Sequence, residues 1–248
     1  MQLIWEDQYR VSSYDSGLHK QAKLHALVNY FQESAQNHAS HLGFGFDDLD
    51  ETGQLWVLSR LKLQITRLPL WGDFIRLTTW PKNPVNPYAF RDFEILDVSG
   101  NRLLAGTSTW LVLDYETRKP IRDVESMRKK IPAPPEKHAI SEPAPKLAPL
   151  KNGELLASVT SGFVDIDVNG HVNNTVYLAW LNNALPQTFL ENYQIREVVL
   201  NYLSEVRMSE AIEIRGQESE GVWLLEGIKM PGKATAFRAQ ITGIRNII

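Results

Sequence analysis

The sequence predicts an α+β fold in which one unit, a long helix followed by antiparallel strands, occurs twice. Each half of the chain has one apolar stripe at helical spacing, and several β-rich runs follow each stripe. A proline-rich stretch separates the two halves. Because strands and helices do not alternate along the chain, a doubly wound parallel sheet is disfavoured.

The first half begins with a helix whose apolar residues recur at steps of three and four, and Gly43 suits its end. Alternating Leu61, Leu63 and Ile65 then indicate a strand. The helix stripe comprises Leu24, Leu27, Val28, Phe31, Ala35 and Leu42, and further strands are predicted at 74–80, 89–97 and 103–114.

The second half repeats this order, with a helix that begins after Asn173 and is broken or bent at Pro186. Its stripe comprises Tyr177, Trp180, Leu181, Ala184 and Leu185, and strands are predicted at 198–206, 211–215, 222–229 and 235–244. A duplicated α+β unit is the simplest account of both halves.

The boundary between the halves is predicted from proline. Six of the thirteen prolines fall within 132–149, where extended and poorly packed chain is favoured over helix or sheet. We therefore expect an N-terminal unit at 1–131, a linker at 132–150 and a C-terminal unit at 151–248.

Composition excludes several classes of function. The net charge of -3 is spread over the chain without a basic stripe, so nucleic acid is not expected as a partner. No segment approaches the length of a membrane span and no signal sequence is evident, so a cytoplasmic protein is expected. The absence of cysteine excludes disulfides, thiolate metal sites and a cysteine nucleophile.

The densest group of polar residues is the run DIDVNGHVNN, immediately before the second helix. If this run is extended, Asp167, Asn169 and His171 project to one side, where a carboxylate, an amide and an imidazole converge. The following helix start would add N–H groups suited to stabilising an oxyanion. The alternative is a plain Asn-Gly turn with Asn173 or Asn174 as helix N-cap, and spacing alone does not decide between them.

Other site types have less support. No G-x-S-x-G motif marks a serine hydrolase. His38 and His41 are spaced like metal ligands, but no carboxylate completes the motif, and a solvated helix face is the expected explanation. No metal or other cofactor is therefore expected. The GFGF run at 43–46 is interpreted as a helix stop.

Several ordered motifs resemble the acyl-acyl-carrier-protein thioesterases, the family of the plant plastid FatA and FatB enzymes and their bacterial relatives. The resemblance spans nearly the whole chain, and several motifs in order are more specific than any one. The motifs are SYDSG, LVNYFQESAQNHA, WVLSRLKLQITRLPLWGDFIRLTTWP, STWLVLDYETRKP, DIDVNGHVNNTVYLAWLNNALP and LNYLSEV.

The resemblance implies a double hot-dog fold, in which each helix is wrapped by a curved antiparallel sheet, and hydrolysis of fatty acyl chains from acyl carrier protein. Carried over by position, the family's catalytic residues look like Asp167, Asn169, His171 and Glu205. Plant members have a cysteine after the glutamate where this chain has Val206, so attack by water is expected. The plant transit peptide has no counterpart here, which suggests a bacterial member.

Three alternatives stay open. Hydrolysis of acyl-coenzyme A would use the same chemistry on another carrier, and a non-catalytic acyl-thioester sensor would bind without releasing thiol. A hot-dog dehydratase fits less of the chain. The first unit, which lacks a D-x-N-x-H counterpart, is expected to supply the acyl-chain pocket. Chain-length preference and oligomeric state are left open, with a homodimer as one alternative.

Overall fold

The computed structural model describes residues 2–122 and 136–246. The chain divides into two compact units, Met1–Ala144 and Pro145–Ile248, and each is described by itself. Both contain a five-stranded antiparallel sheet and a helix that packs on it, as the repeated pattern predicts. The division after Ala144 lies within the stretch 132–150 that the sequence marks with proline, of which 132–135 lie outside the described residues.

The first unit has the sheet order β1-β3-β4-β5-β2, with every neighbouring pair antiparallel. A short 3-10 helix, Leu18–Lys20, precedes the main helix. The elements are β1 (Trp5–Arg10), α1 (Leu24–His41), α2 (Phe46–Asp50), β2 (Gln54–Ile65), β3 (Phe74–Val85), β4 (Tyr88–Leu96) and β5 (Arg102–Asp114).

The second unit has the sheet order β7-β10-β9-β8-β6, again antiparallel throughout. Its elements are β6 (Glu154–Thr160), a 3-10 helix (Phe163–Asp165), α3 (Val176–Ala184), α4 (Gln187–Asn192), β7 (Tyr193–Tyr202), β8 (Ala211–Ser219), β9 (Val222–Met230) and β10 (Thr235–Arg245).

Helix α1 is held to its sheet by an aromatic stack over a glycine. The Phe31 and Phe93 rings are nearly parallel, with centroids 4.3 Å apart. Beneath them, a Cβ added to Gly106 would lie 2.6 Å from Phe31 Cε2, closer than side chains pack. The absence of a side chain at Gly106 therefore lets the helix approach β5 at this point.

Helix α3 buries the stripe that the sequence indicates, including Tyr177, Trp180 and Leu181. The Tyr177 ring meets that of Phe237 edge to face at 5.3 Å, which joins the helix to β10. The helix ends at Ala184, and Pro186 is the N-cap of α4, so the predicted break is confirmed. Gly43 follows α1 with a φ of 75°, which also agrees with the predicted helix end.

Where the structure describes it, the proline-rich stretch packs against the sheet. The expectation of poorly packed chain is therefore wrong for these residues. Ala139 and Ile140 are buried against Trp80 and Ala105 on the sheet. The indole N–H of Trp80 donates to the Lys137 carbonyl at 3.0 Å. Prolines keep the backbone extended and leave its carbonyls free, so polar side chains of the sheet can bind them.

Several strand predictions differ from the structure. Strands β1 and β6 are missed, because both are partly exposed edge strands with mixed composition. The run predicted as a strand at 198–206 belongs to β7, which ends at Tyr202 and is followed by a loop. The GFGF run contains a helix stop at Gly43, but Phe46 also begins α2. Of the described helices, none combines the length and the apolar character that a membrane crossing needs.

The close approach at Gly106 predicts a stability cost for any added side chain. We expect Gly106→Ala to lower the free energy of unfolding by about 1–3 kcal/mol, the usual cost of overpacking a core. Gly232→Ala is the control, because a Cβ there meets nothing within 4 Å, and it should change stability by less than about 0.5 kcal/mol. Urea denaturation measures both, and equal effects would contradict the proposed packing constraint.

Candidate functional site

The run from Asp165 to Asn174 forms a closed turn, which is the second of the two interpretations that the spacing left open. Ile166 and Val172 pair as an antiparallel bridge. The Asp167 N–H donates to the His171 carbonyl at 2.8 Å, and the Gly170 N–H donates to the Asp167 carbonyl at 3.0 Å. Gly170 has a φ of 75°, a conformation that favours glycine. The Asn-Gly pair thus forms the turn that this interpretation predicts.

Asp167 stabilises this turn from within. Its Oδ1 accepts the N–H of Asn169 at 2.9 Å, a side-chain-to-backbone bond typical of aspartate in turns. Asn169 is exposed, and its side chain has no hydrogen-bond partner among residues 2–122 and 136–246. The turn therefore presents a free amide to solvent and holds the carboxylate of Asp167 in a structural contact.

His171 lies at the end of the turn and contacts Glu205. The distance from His171 Nε2 to Glu205 Oε2 is 3.0 Å, and the two side chains are 17% and 37% exposed. An ionised carboxylate can only accept, so the imidazole N–H is the donor. The structure thus brings together two of the four residues that the resemblance implies, in a place that solvent reaches.

A backbone hydrogen bond sets the position of this pair. The N–H of Val172 donates to the carbonyl of Val206 at 2.8 Å, and each valine is the neighbour of one partner. Val172 and Val206 are 4% and 0% exposed, so their side chains fix both segments in the core. The turn that bears His171 and the loop that bears Glu205 are joined at this point.

The start of the Glu205 loop is held by β10. The N–H groups of Leu203 and Ser204 both donate to the carbonyl of Ala236, at 2.8 and 3.1 Å. The hydroxyl of Ser204 also donates to the carbonyl of Thr235 at 3.1 Å. Strand pairing therefore continues into the loop up to the residue before Glu205.

The end of the loop is held by Ser161, which is 3% exposed. Its hydroxyl donates to the Arg207 carbonyl at 2.5 Å, and its N–H donates to the Glu210 carbonyl at 3.1 Å. The Glu210 carboxylate accepts the Arg207 N–H and the Lys229 ammonium, both at 2.8 Å. Partial burial alone would raise the pKa of Glu210, but the hydrogen bonds from Lys229 and the Arg207 N–H have the larger effect, so the pKa is lowered.

Tyr177, on α3, lies beside the Val206 backbone and is 3% exposed. Burial raises the pKa of its phenol far above the usual range, and a backbone hydrogen bond from Val206 acts in the opposite direction. The negative charges of Asp167, Glu205 and Glu210 raise this pKa further. Sequence reasoning placed Tyr177 only in a helix stripe and missed Ser161 altogether, since both roles arise from contacts distant in sequence.

The start of α3 does not offer the set of free donors that the sequence suggested. The Asn173 side chain accepts both the N–H and the hydroxyl of Thr175 at 2.9 Å. The N–H of Val176 donates to the Asn173 carbonyl, and that of Leu178 to the Thr175 carbonyl. Thr175, rather than Asn173 or Asn174, occupies the N-cap position. Three N–H groups of the helix start are thus already hydrogen-bonded.

The structure corrects the interpretation of the two histidines on α1. His41 is exposed, as expected, but His38 is fully buried. Its Nε2 contacts the Gln2 carbonyl at 3.0 Å and its Nδ1 contacts Arg91 Nη1 at 3.2 Å. In the part of the chain that the structure describes, no cluster of histidine and acidic residues suits a metal ion.

A helix on a five-stranded antiparallel sheet, present twice, is the double hot-dog architecture. Its second copy carries the histidine and glutamate pair. The chain matches the family models described as the acyl-ACP thioesterase N-terminal domain over residues 2–131 and the C-terminal domain over residues 152–239. This chain therefore belongs to the acyl-ACP thioesterase family.

The chain is similar to several curated plant proteins. The chloroplastic acyl-acyl-carrier-protein hydrolase FATB3 of Cuphea viscosissima is 30% identical over 220 residues, which are 84% of this chain and 53% of that protein. The chloroplastic oleoyl-acyl carrier protein thioesterase 2 of Arabidopsis thaliana is 24% identical over 84% of this chain and 61% of its own length. The chain thus spans little more than half the length of these relatives.

Solved structures support the predicted fold. The 12:0-ACP thioesterase from Umbellularia californica aligns with a TM-score of 0.88 at 25% identity, over 99% of each chain. An acyl-ACP thioesterase from Bacteroides thetaiotaomicron aligns with the same TM-score at 24% identity, over 97% of this chain and 98% of that one. The predicted double hot-dog fold is confirmed.

The burial of His38 predicts a pH-dependent stability. Burial and the Arg91 guanidinium lower its pKa from 6.5 to about 4. The unfolded chain therefore binds the proton first, so this stability is present above pH 6.5 and is lost as the pH falls towards about 4. We expect wild type to lose on the order of 2 kcal/mol more than His38→Gln over this interval.

Urea denaturation at several pH values between about 7 and about 4 measures this difference. His41→Gln is the matched control, because His41 lies on the same helix and is exposed, and it should follow wild type. Parallel pH profiles for wild type and His38→Gln would show that His38 is not the group that takes up the proton.

Proposed function

We propose that this chain hydrolyses the thioester of a fatty acyl chain carried by acyl carrier protein and releases free fatty acid, in fatty acid biosynthesis in the cytoplasm. Family membership supports the class of reaction. The observation that carries the proposal is the 3.0 Å contact between His171 and Glu205, in a partly exposed place beside the turn. Asp167, Asn169, His171 and Glu205 are the proposed catalytic group.

The reaction requires a base, because water is a poor nucleophile until a proton is removed. In the proposal, a Glu205 carboxylate oxygen accepts that proton while the water oxygen bonds to the carbonyl carbon. The carbon–sulfur bond then breaks, and the thiolate of the carrier takes the proton back. His171 donates its Nε2–H to Glu205 and so orients the carboxylate for this exchange.

Asn169 and Asp167 have different roles in this proposal. The Asn169 side chain is the exposed amide at the turn, and it orients the water or the thioester carbonyl. Asp167 binds the Asn169 N–H and so fixes the turn from which the amide projects. The occupied N–H groups of the helix start support giving Asn169 the larger part in polarising the carbonyl.

The absence of cysteine from the sequence limits the nucleophile. A cysteine acyl-enzyme cannot form, and Val206 stands directly after Glu205. Direct attack by water needs only the base and its positioning groups. Attack by the Glu205 carboxylate itself would give an anhydride intermediate and release the thiolate. When water then attacks the glutamyl carbonyl of this anhydride, isotope label from the water enters Glu205, an outcome that direct attack by water on the thioester does not give.

Loss of either member of the pair should abolish most turnover. We expect Glu205→Gln and His171→Ala each to lower kcat by at least about a hundredfold, the scale for losing a positioned acid–base group, with folding retained. Asn169→Ala should lower kcat on a similar scale. Thiol release from acyl-acyl carrier protein measures the rates, and circular dichroism verifies the fold.

Two exposed residues of the same types serve as controls for these variants. Glu154 lies on β6 of the second unit and His41 on α1, and both are exposed. Glu154→Gln and His41→Ala should keep turnover within about twofold of wild type, since surface changes away from a site have small effects. Unchanged hydrolysis in a His171→Ala, Glu205→Gln double variant would refute the assignment.

The choice of carrier is tested separately from the chemistry. Acyl carrier protein is acidic, so basic side chains near the site would steer it by long-range attraction. We expect kcat/KM for a dodecanoyl chain on acyl carrier protein to exceed that on coenzyme A by at least about tenfold at low salt. The advantage should shrink as salt rises, because salt screens the attraction.

The two thioesters of one acyl chain are compared at several salt concentrations. Equal kcat/KM on both carriers would favour an acyl-coenzyme A thioesterase, the alternative that shares this chemistry. Binding of acyl thioesters without any release of thiol would favour a non-catalytic sensor.

A further inference from the structure

The first unit contains a buried cation that the proposed reaction does not use. Arg91 lies on β4 and is 7% exposed. It is two residues before Phe93 on the same strand, so both side chains project from the same face of the sheet. That face carries the Phe31 and Phe93 stack and therefore packs against α1. A guanidinium in such an apolar place is costly unless its charge is offset.

The two groups that contact Arg91 are both neutral. Its Nη1 lies 3.2 Å from His38 Nδ1 and 3.3 Å from Thr79 Oγ1. Because the Gln2 carbonyl can only accept, His38 Nε2 must carry the hydrogen in their 3.0 Å contact. Nδ1 is then the acceptor for Arg91, and the imidazole has no charge.

The nearest carboxylate in the sequence faces away from Arg91. Asp92 projects to the opposite face of β4, where it contacts Lys82 at 3.3 Å and the Ala139 N–H at 2.8 Å. Among residues 2–122 and 136–246, no aspartate or glutamate forms an ion pair with Arg91. Burial alone lowers the pKa of Arg91, to about 10, so the guanidinium still carries its charge at neutral pH.

Most donors of this guanidinium are unused. Arginine has five N–H donors, and only Nη1 has partners within the described residues. Nε and Nη2 of Arg91 are not among the fully buried side-chain atoms that lack a hydrogen-bond partner. A water-sized molecule can therefore reach them. A buried and charged donor pair that has no acidic partner in the described part of the chain is suited to a carboxylate, whose two oxygens can accept from both nitrogens.

We propose that the unpartnered Nε and Nη2 of Arg91 form a binding site for the carboxylate of an aliphatic acid. The planar guanidinium matches two carboxylate oxygens, and an anion would offset the buried charge. The neutral side chains of His38 and Thr79 contact Nη1 and so fix the orientation of the guanidinium plane.

Two sources could supply this carboxylate. One is a free fatty acid, the product of the proposed reaction, and the other is a carboxyl group at the far end of a bound acyl chain. Carboxylate binding itself does not depend on the proposed function, but the identity of the source does. The two sources are separated below by different measurements.

Binding of decanoate and 1-decanol tests the site, since these ligands share a chain length and differ in charge. We expect wild type to bind decanoate at least about tenfold more tightly by isothermal titration calorimetry. Arg91→Gln should reduce this preference to less than about threefold. Arg102→Gln, a change of a half-exposed arginine on the adjacent β5, should retain it. An equal preference in the two variants would overturn the proposal.

The same titrations in a His171→Ala background keep the result independent of catalysis. The preference for decanoate should persist there and depend on Arg91, whether or not His171 takes part in hydrolysis. Disappearance of the preference in this background would place the carboxylate at the second unit and overturn the Arg91 site.

Inhibition and hydrolysis identify the source. If the product is the ligand, Arg91→Gln raises the inhibition constant of decanoate at least about tenfold and leaves substrate selectivity unchanged. If the acyl chain is the source, Arg91→Gln lowers kcat/KM at least about tenfold for an 11-carboxyundecanoyl thioester relative to dodecanoyl. No change in either measurement would count against the site.

The wild-type protein decides the matter if Arg91→Gln fails to fold. A crystal structure with decanoate should show its carboxylate within hydrogen-bond distance of Arg91 Nε or Nη2. A carboxylate bound elsewhere, with Arg91 unoccupied at saturating decanoate, would overturn the assignment.

Discussion

The hydrogen bond from the Val172 N–H to the Val206 carbonyl is the contact on which the candidate site depends. His171 and Glu205 come from a turn and a loop that are distant in sequence, and neither segment is a regular element. Because the bond joins the residues next to them, a small displacement of either segment would separate the imidazole from the carboxylate. Burial of both valines protects this bond from competition with water.

Polar contacts around the loop make up for its lack of strand pairing. Ser161 and Glu210 hold its end, the Ala236 carbonyl holds its start, and Tyr177 approaches the Val206 backbone from the helix. These contacts satisfy backbone groups of the loop that would otherwise need water, which keeps the loop in one conformation. The 37% exposure of Glu205 is therefore compatible with a fixed position, as a base that must meet both solvent and substrate requires.

Sequence periodicity predicted α1, α3 and the central strands, because burial of one face imposes that pattern. It identified the Asp167 to His171 group by spacing but gave it an extended geometry, since Asp167 and Gly170 act through local turn contacts. Glu205 came only from the resemblance, because its apolar neighbours continued the strand pattern past Tyr202. The role of Ser161 could not be predicted, since it depends on contacts that only the fold creates.

The two units place a histidine beside groups of opposite charge. His171 contacts a carboxylate in a place that solvent reaches, whereas His38 contacts a guanidinium that disfavours its protonation. A histidine held neutral accepts a hydrogen bond from Arg91 and adds no charge, so it does not offset the positive charge of the guanidinium. Duplication of one fold thus supports two kinds of polar site, a pair with a base in the second unit and an uncompensated cation in the first.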